Sequence, residues 1–182
     1  PEDILLEKVQ RLNEDRSIDG FIVQLPLPKH IDELKITQAI DPKKDVDGFH
    51  PRNLGNMILN LPGFLPATPA GIMELLRRNN IDTEGKNCVI LGRSNIVGTP
   101  LSIMLARNTN PGNCTVTLAH SKTKNIKALC READILIAAI GKPNFVTADM
   151  VKAGAVIIDV GTTRVEDSSR ERGWRLVGDV KF

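Results

Sequence analysis

Tyrosine is absent from the 182 residues, and five Phe with a single Trp hold the aromatic share at 3%. So few rings give no surface on which nucleic-acid bases could stack. Neither sign of charge dominates. There are 24 Lys and Arg against 22 Asp and Glu, a formal net charge of +2, whereas a nucleic-acid face needs concentrated positive charge. No nucleic-acid partner is expected. Cysteine is scarce as well: Cys88, Cys114 and Cys130 form an odd set with no Cys-x-x-Cys pair and no His at zinc-finger spacing. That excludes a disulfide framework and a structural zinc site, and it reads as reduced, buried thiols in a cytoplasmic protein. The longest wholly apolar run, Ile135 to Ile140, has six residues where a membrane helix needs roughly 20, so no membrane span is expected. No signal peptide is visible; since the chain begins at Pro1, a removed leader stays open.

What is present is ordinary for a globular protein, with 41% apolar and 25% charged residues. At roughly 150 residues per domain the length suggests one domain and a fraction of another. Acids at the start and Ile4, Leu5, Val9 and Leu12 at helical spacing predict a helix over 2–15. A short apolar run closed by Pro26 and Pro28 predicts a strand over 18–25, followed by a helix over 32–40. DPKKDVDGFHP (41–51) reads as a loop, with a short helix near 54–59 and a proline-punctuated connector over 62–70. Beyond it, a helix over 70–80 leads into strands at 87–91, 115–119, 134–140, 155–160 and 176–180. Helices near 99–107, 125–132 and 148–153 alternate with them. Val-, Ile-, Leu- and Ala-rich strands alternating with helices predict a doubly wound, Rossmann-like α/β domain with a parallel sheet, over 71–182. Residues 1–61 offer one strand without a partner and resemble the C-terminal part of a smaller α/β domain. GDVKF stops at the edge of a strand, so truncation at both ends is expected.

Several residues could carry chemistry. Strand 87–91 runs into GRSNIVGTP, which places Gly92 and Gly98 at a strand-to-helix turn. Glycine there permits close backbone approach, the helix N-terminus presents free N–H groups, and Arg93 adds a cation for a pyrophosphate. A plain tight turn is the competing reading. The second strand ends in His120, Ser121, Lys122 and Thr123 with no carboxylate to take a ribose 2′-hydroxyl, which favours NADP over NAD. Gln24 is polar within an apolar segment at its C-terminal end. Asp45 and Asp47 fail as a calcium loop, because Lys43 and Leu54 would then stand at ligand positions one and twelve. They read as a solvated turn, and no metal site is expected. His30 and His50 lie in loops without a triad arrangement.

In chain order, VQLPLP (23–28), KDVDGFH (44–50), LPATPAG (65–71), GRSNIVGTP (92–100) and VIIDVGTTR (156–164) followed by GDV resemble one family over nearly the whole chain. It is the bifunctional methylenetetrahydrofolate dehydrogenase/methenyltetrahydrofolate cyclohydrolase (FolD) family. The resemblance implies hydride transfer from 5,10-methylenetetrahydrofolate to NADP, hydrolysis of the methenyl product to 10-formyltetrahydrofolate, a homodimer, and a role in one-carbon metabolism and purine biosynthesis. It also implies residue roles. Gln24 would orient a catalytic lysine, Val23 and Leu25 would line the folate site, and Asp47 would accept pterin N–H groups, which suits a carboxylate facing adjacent donors. Gly92, Arg93 and Ser94 would meet the coenzyme phosphates, Ser121 the adenosine end and Thr68 the nicotinamide; Gly98 stays a coenzyme candidate from the turn itself. Thr162, where the family usually has Ile, would make a main-chain contact. The family's Tyr-x-x-x-Lys motif and its PGGVGP segment do not stand in these residues, so this chain is expected to bind NADP better than it turns over folate. Two alternatives stay open: another two-domain NADP dehydrogenase of shikimate type, which leaves VQLPLP and KDVDG unexplained, and a catalytically silent NADP-binding module.

Overall fold

Acids at the start of a helix oppose its positive end, and Glu2 and Asp3 do this for α1 (Glu2–Glu14). Glu2 also accepts from the Asp32 amide at 2.7 Å and from Lys35 Nζ at 2.6 Å, tying α1 to α2 (Glu33–Ala39). Asp32 caps α2 through bonds from the Leu34 and Lys35 amides. The two helices bury Val9, Ile36 and Ile40, with Leu5, Leu6, Phe21, Val23 and Leu27 packed around them. The computed structural model describes residues 1–182 and divides into two units, Pro1–Ala70 and Gly71–Phe182.

The strand expected over 18–25 does not form. Only Phe21 pairs, in a parallel bridge to Asp45, with its amide donating to Lys44 O at 3.0 Å. A strand exists through its ladder, and the apolar run here finds a single partner position; Ile22 stays 54% exposed. Helix α3 (Pro51–Ile58) begins earlier than expected, because Pro51 fits the first helical position and His50 Nδ1 caps the Arg52 amide at 3.0 Å. Helix α4 spans Ala67–Arg78.

In the second unit β1 (Asn87–Leu91), β2 (Thr115–Ala119), β3 (Ile135–Ala138) and β4 (Val156–Asp159) form one parallel sheet in the order β2-β1-β3-β4. Alternate residues of β1 enter opposite cores. Cys88 and Ile90 pack with Ile72 and Leu76 of α4 and with Leu101 and Leu105 of α5 (Gly98–Ala106). Val89 and Leu91 pack with Cys130 of α6 (Ile126–Glu132) and Met150 of the 3₁₀ turn Ala148–Met150. Both faces are therefore covered, which is the doubly wound, Rossmann-like arrangement; each fully buried Leu or Ile contributes about 1.5–3 kcal/mol. All three cysteines are free and buried.

Three further expectations are corrected. The helix over 148–153 shrinks to the 3₁₀ turn, and the strand over 134–140 stops at Ala138 because the amides of Ile140 to Lys142 turn away to Asp179. The last apolar piece is not a strand of the main sheet. Instead β6 (Trp174–Val177) pairs antiparallel with β5 (Thr163–Glu166), whose polar TRVE gave no strand signal. Arg164 lies over the Trp174 ring at 4.4 Å, a cation–π contact that contributes about 0.5–1 kcal/mol at an exposed site.

Candidate functional site

The first unit builds its polar centre on the DVDG turn. Asp45 is 2% exposed, and its carboxylate accepts from the amides of Phe49 at 3.3 Å and His50 at 2.8 Å and from Asn53 Nδ2 at 2.8 Å. Three donors satisfy a buried charge without a cation. Asp45 is thus the keystone of the turn and not the solvated residue its segment suggests. Gly48 has φ +71, and a Cβ there would lie 2.4 Å from the Leu65 carbonyl carbon, so only glycine fits. Asp47 is held through its backbone, its carbonyl accepting from the Ala67 amide at 3.3 Å. Burial, and then the neighbouring charge of Asp45, hold the Asp47 carboxyl above its ordinary range. The turn therefore presents a half-buried carboxylate that gains by receiving donors.

The shift fixes a sign for stability. Because the folded value lies above the ordinary 3.8, the stability contributed by Asp47 is full below 3.8 and is lost as pH rises through the folded value. Asp47→Asn removes the ionisation. The variant is expected to unfold at the same or a higher temperature than the parent at pH 7, with the difference closing as pH falls below 3.8. Thermal unfolding followed by circular dichroism across pH 3–8 checks this; a variant less stable at pH 7 than at pH 3, relative to the parent, contradicts it.

The parallel Phe21–Asp45 bridge joins the two chain stretches three residues before Gln24 and two before Asp47. A Cβ on Gly20 would meet Val46 Cγ1 at 2.3 Å, which shows how closely the two approach. Gln24 is exposed, its Nε2 donating to Leu25 O at 3.0 Å. Val23 packs on the apolar core of the unit, and Leu25 is half-buried. Thr68 is exposed in the first turn of α4.

In the second unit the expected coenzyme residues gather by topology. Strands of a parallel sheet end on one side, and Gly92, Ser121 and Thr162 follow the ends of β1, β2 and β4. The strand order reverses between β1 and β3, and in open α/β sheets the ligand crevice lies at that reversal. Gly92 has φ +110, and a Cβ there would stand 2.1 Å from Ala139 O; a Cβ on Gly98 would stand 2.0 Å from Gly92 O. The turn is folded as tightly as backbone allows. Ser94 organises it by accepting from the Val97 amide through Oγ at 3.2 Å and from the Thr99 amide through its carbonyl at 3.0 Å. No side chain caps α5, and Arg93 is exposed beside its start. Pro100 has no amide and those of Val97 and Thr99 go to Ser94, so the open donors are the loop amides of Ser94, Asn95 and Ile96; with the close backbone and the Arg93 cation they suit an anionic phosphate.

After β2, His120 folds a small turn on itself: its amide donates to Thr123 Oγ1 at 2.9 Å and its Nδ1 accepts from the Lys122 amide at 3.2 Å. Ser121 and Lys122 are left exposed. Sequence reasoning missed two further carboxylates on this side of the sheet. Asp159, the last residue of β4, accepts from the amides of Gly161, Asp179 and Val180 at 3.0, 2.9 and 3.0 Å. Asp179 accepts from those of Ile140, Gly141 and Lys142 at 2.7, 3.0 and 2.6 Å. The one available signal was a nearby glycine, Gly161 two residues after Asp159 and Gly178 directly before Asp179.

Residues 66–182 match the family described as tetrahydrofolate dehydrogenase/cyclohydrolase, NAD(P)-binding domain, and residues 1–47 match the catalytic domain of the same family. The chain is 67% identical over 178 residues to the bifunctional protein FolD of Cytophaga hutchinsonii, covering 98% of this chain and 61% of that protein. A solved bifunctional FolD methylenetetrahydrofolate dehydrogenase/cyclohydrolase from Campylobacter jejuni superposes with a TM-score of 0.89 at 47% identity, over 100% of this chain and 61% of that one. The Trypanosoma brucei methylenetetrahydrofolate dehydrogenase-cyclohydrolase, solved with NADP cofactor and an inhibitor, gives a TM-score of 0.91 at 41% identity, over 99% and 61%. The chain therefore spans about three fifths of the length of the relatives it matches.

Proposed function

Since the chain belongs to the tetrahydrofolate dehydrogenase/cyclohydrolase family, we propose that its protein oxidises 5,10-methylenetetrahydrofolate to the 5,10-methenyl form with NADP and hydrolyses that to 10-formyltetrahydrofolate. One observation carries the reading: a single chain presents both a glycine turn with open amides beside Arg93 and a half-buried Asp47 whose carboxylate takes no hydrogen bond. The first suits a dinucleotide, the second a pterin edge. Residues 1–61 then form the folate lobe, 62–70 the connector and 71–182 the coenzyme domain.

In this reading Gly92, Arg93, Ser94 and Gly98 hold the coenzyme phosphates, Ser121 the adenosine end, and Thr68 and Thr162 the nicotinamide end. The closeness of Gly92 to Ala139 and of Gly98 to Gly92 leaves backbone, not side chain, facing that ligand, which fits the group. NADP supplies the hydride acceptor. Asp47 fixes the pterin by accepting adjacent N–H donors, Gln24 orients the lysine of the family's upstream motif, and Val23 and Leu25 shape the wall beside them. A homodimer, a cytoplasmic location and the supply of one-carbon units to purine biosynthesis complete the proposal; they rest on the family resemblance.

The test is formation of NADPH, followed by absorbance, when the intact protein meets methylenetetrahydrofolate and NADP; no absorbance change with folded protein overturns the reading. For the coenzyme half, NADP is expected to bind more tightly than NAD, and Arg93→Ala to cost about 1.5–3 kcal/mol, roughly ten- to a hundredfold in NADP affinity. Calorimetry with both coenzymes decides, and equal affinities refute the 2′-phosphate assignment.

A further inference from the structure

Ala139 to Phe145 has no helix or strand of its own, yet one residue fastens both its beginning and the Val146 that follows it. The Asp179 carboxylate takes the amides of Ile140, Gly141 and Lys142, and the Asp179 carbonyl takes that of Val146 at 2.9 Å. Asp179 is fully buried and pairs with no Lys or Arg, so amide donors alone compensate its charge. It is itself fixed from below, because Asp159 holds the Asp179 and Val180 amides. There is no room to loosen the stack: a Cβ on Gly178 would lie 1.8 Å from Asp159 Oδ2, and one on Gly161 would lie 2.4 Å from Asp179 Cγ.

The fastened segment lies where the ligand crevice opens. It follows β3 directly, on the far side of the strand reversal from Gly92, and Ala139 O is the atom that a Cβ on Gly92 would strike. Its chemistry is opposite to that of the glycine turn. The turn offers the free loop amides of Ser94 to Ile96 and the Arg93 cation, whereas the amides of Ile140 to Lys142 are spent on a carboxylate. Of the backbone groups of 140–142 only carbonyl acceptors remain, while the Lys142 and Asn144 side chains point to solvent. Backbone of this kind receives hydroxyl or amide donors and offers no amide of its own to a phosphate. We infer that Asp179 is a positioning residue: by consuming the amides after β3 it shapes the wall that meets the nicotinamide-ribose end of the coenzyme. This rests on the coenzyme reading above.

The experiment compares two probes, NADP and adenosine 2′,5′-bisphosphate, which carries the phosphate end without the nicotinamide. Asp179→Asn keeps the shape of the side chain but turns an NH₂ donor toward at least one backbone amide. The expected result by calorimetry is NADP bound tenfold or more weakly, with the bisphosphate within twofold of the parent. If both weaken equally, Asp179 merely supports the fold, and if neither changes, the segment does not meet the coenzyme; either result overturns the inference. A parent protein that binds neither probe refutes the coenzyme reading itself, a result distinct from both. Should Asp179→Asn not fold, Gly141→Ala perturbs the same segment with the carboxylate intact, since its Cβ meets no atom within 4 Å but sits at φ +64. The same split between probes is expected, at threefold or more for NADP, and an unchanged NADP affinity overturns the inference.

Discussion

Asp47→Ala is expected to weaken tetrahydrofolate binding by the intact protein roughly a hundred- to a thousandfold, about 3–4 kcal/mol, while NADP affinity stays within twofold. The size comes from losing two charge-assisted hydrogen bonds at once and leaving pterin donors unpaired. The separation of the two ligands comes from structure. Asp47 belongs to the DVDG turn, and its carboxylate supports nothing else in the chain, whereas Asp45 carries the turn through Phe49, His50 and Asn53. Truncating Asp47 therefore leaves the turn standing. Equilibrium titration with each ligand checks it, and an unchanged folate dissociation constant removes Asp47 from the site.

Gly92→Ala strikes the other unit. The added Cβ would lie 2.1 Å from a backbone oxygen at φ +110, and neither backbone can yield without moving β1 or β3. A left-handed residue costs about 1–2 kcal/mol and the steric shift a similar amount, so a loss of about 3 kcal/mol is expected. For a chain of this size that lowers the unfolding midpoint by roughly 6–12 °C. NADP binding is expected to fall more than a hundredfold, because the turn and the segment after β3 separate together. Gly71→Ala is the control: it lies in α4, its Cβ would meet nothing within 4 Å, and it is expected to stabilise by about 0.5–1 kcal/mol. Calorimetric melting of the two variants decides, and a Gly92→Ala protein as stable as the parent contradicts the close approach.

The same residues show how far sequence reasoning reaches. β1 and β3 were legible because both faces of a covered parallel strand are apolar, so NCVIL and ILIA announce themselves without reference to a partner. The 18–25 run carries a similar signal and is not a strand, since an apolar run reports burial and says nothing of whether a neighbouring strand exists. β5 failed in the opposite sense: TRVE is polar and owes its conformation to Trp174–Val177 across the hairpin. Among the site residues, those of local motifs could be named in advance. Asp179 could not, because its partners lie 37 to 39 positions away. Asp45 is the instructive case. Its donors are only four, five and eight positions on, so an Asp followed at those intervals by open amides and an Asn could have been read as a buried keystone.

β2 is an outer strand of the sheet, and the loop that leaves it, 120–124, closes only upon itself through His120 and Thr123. Nothing in either apolar core depends on Ser121 or Lys122. That loop can therefore change its sequence with folding stability left almost untouched, and with it the ribose preference proposed above, whereas the segment after β3, clamped by two interlocked aspartates, is closed to such drift.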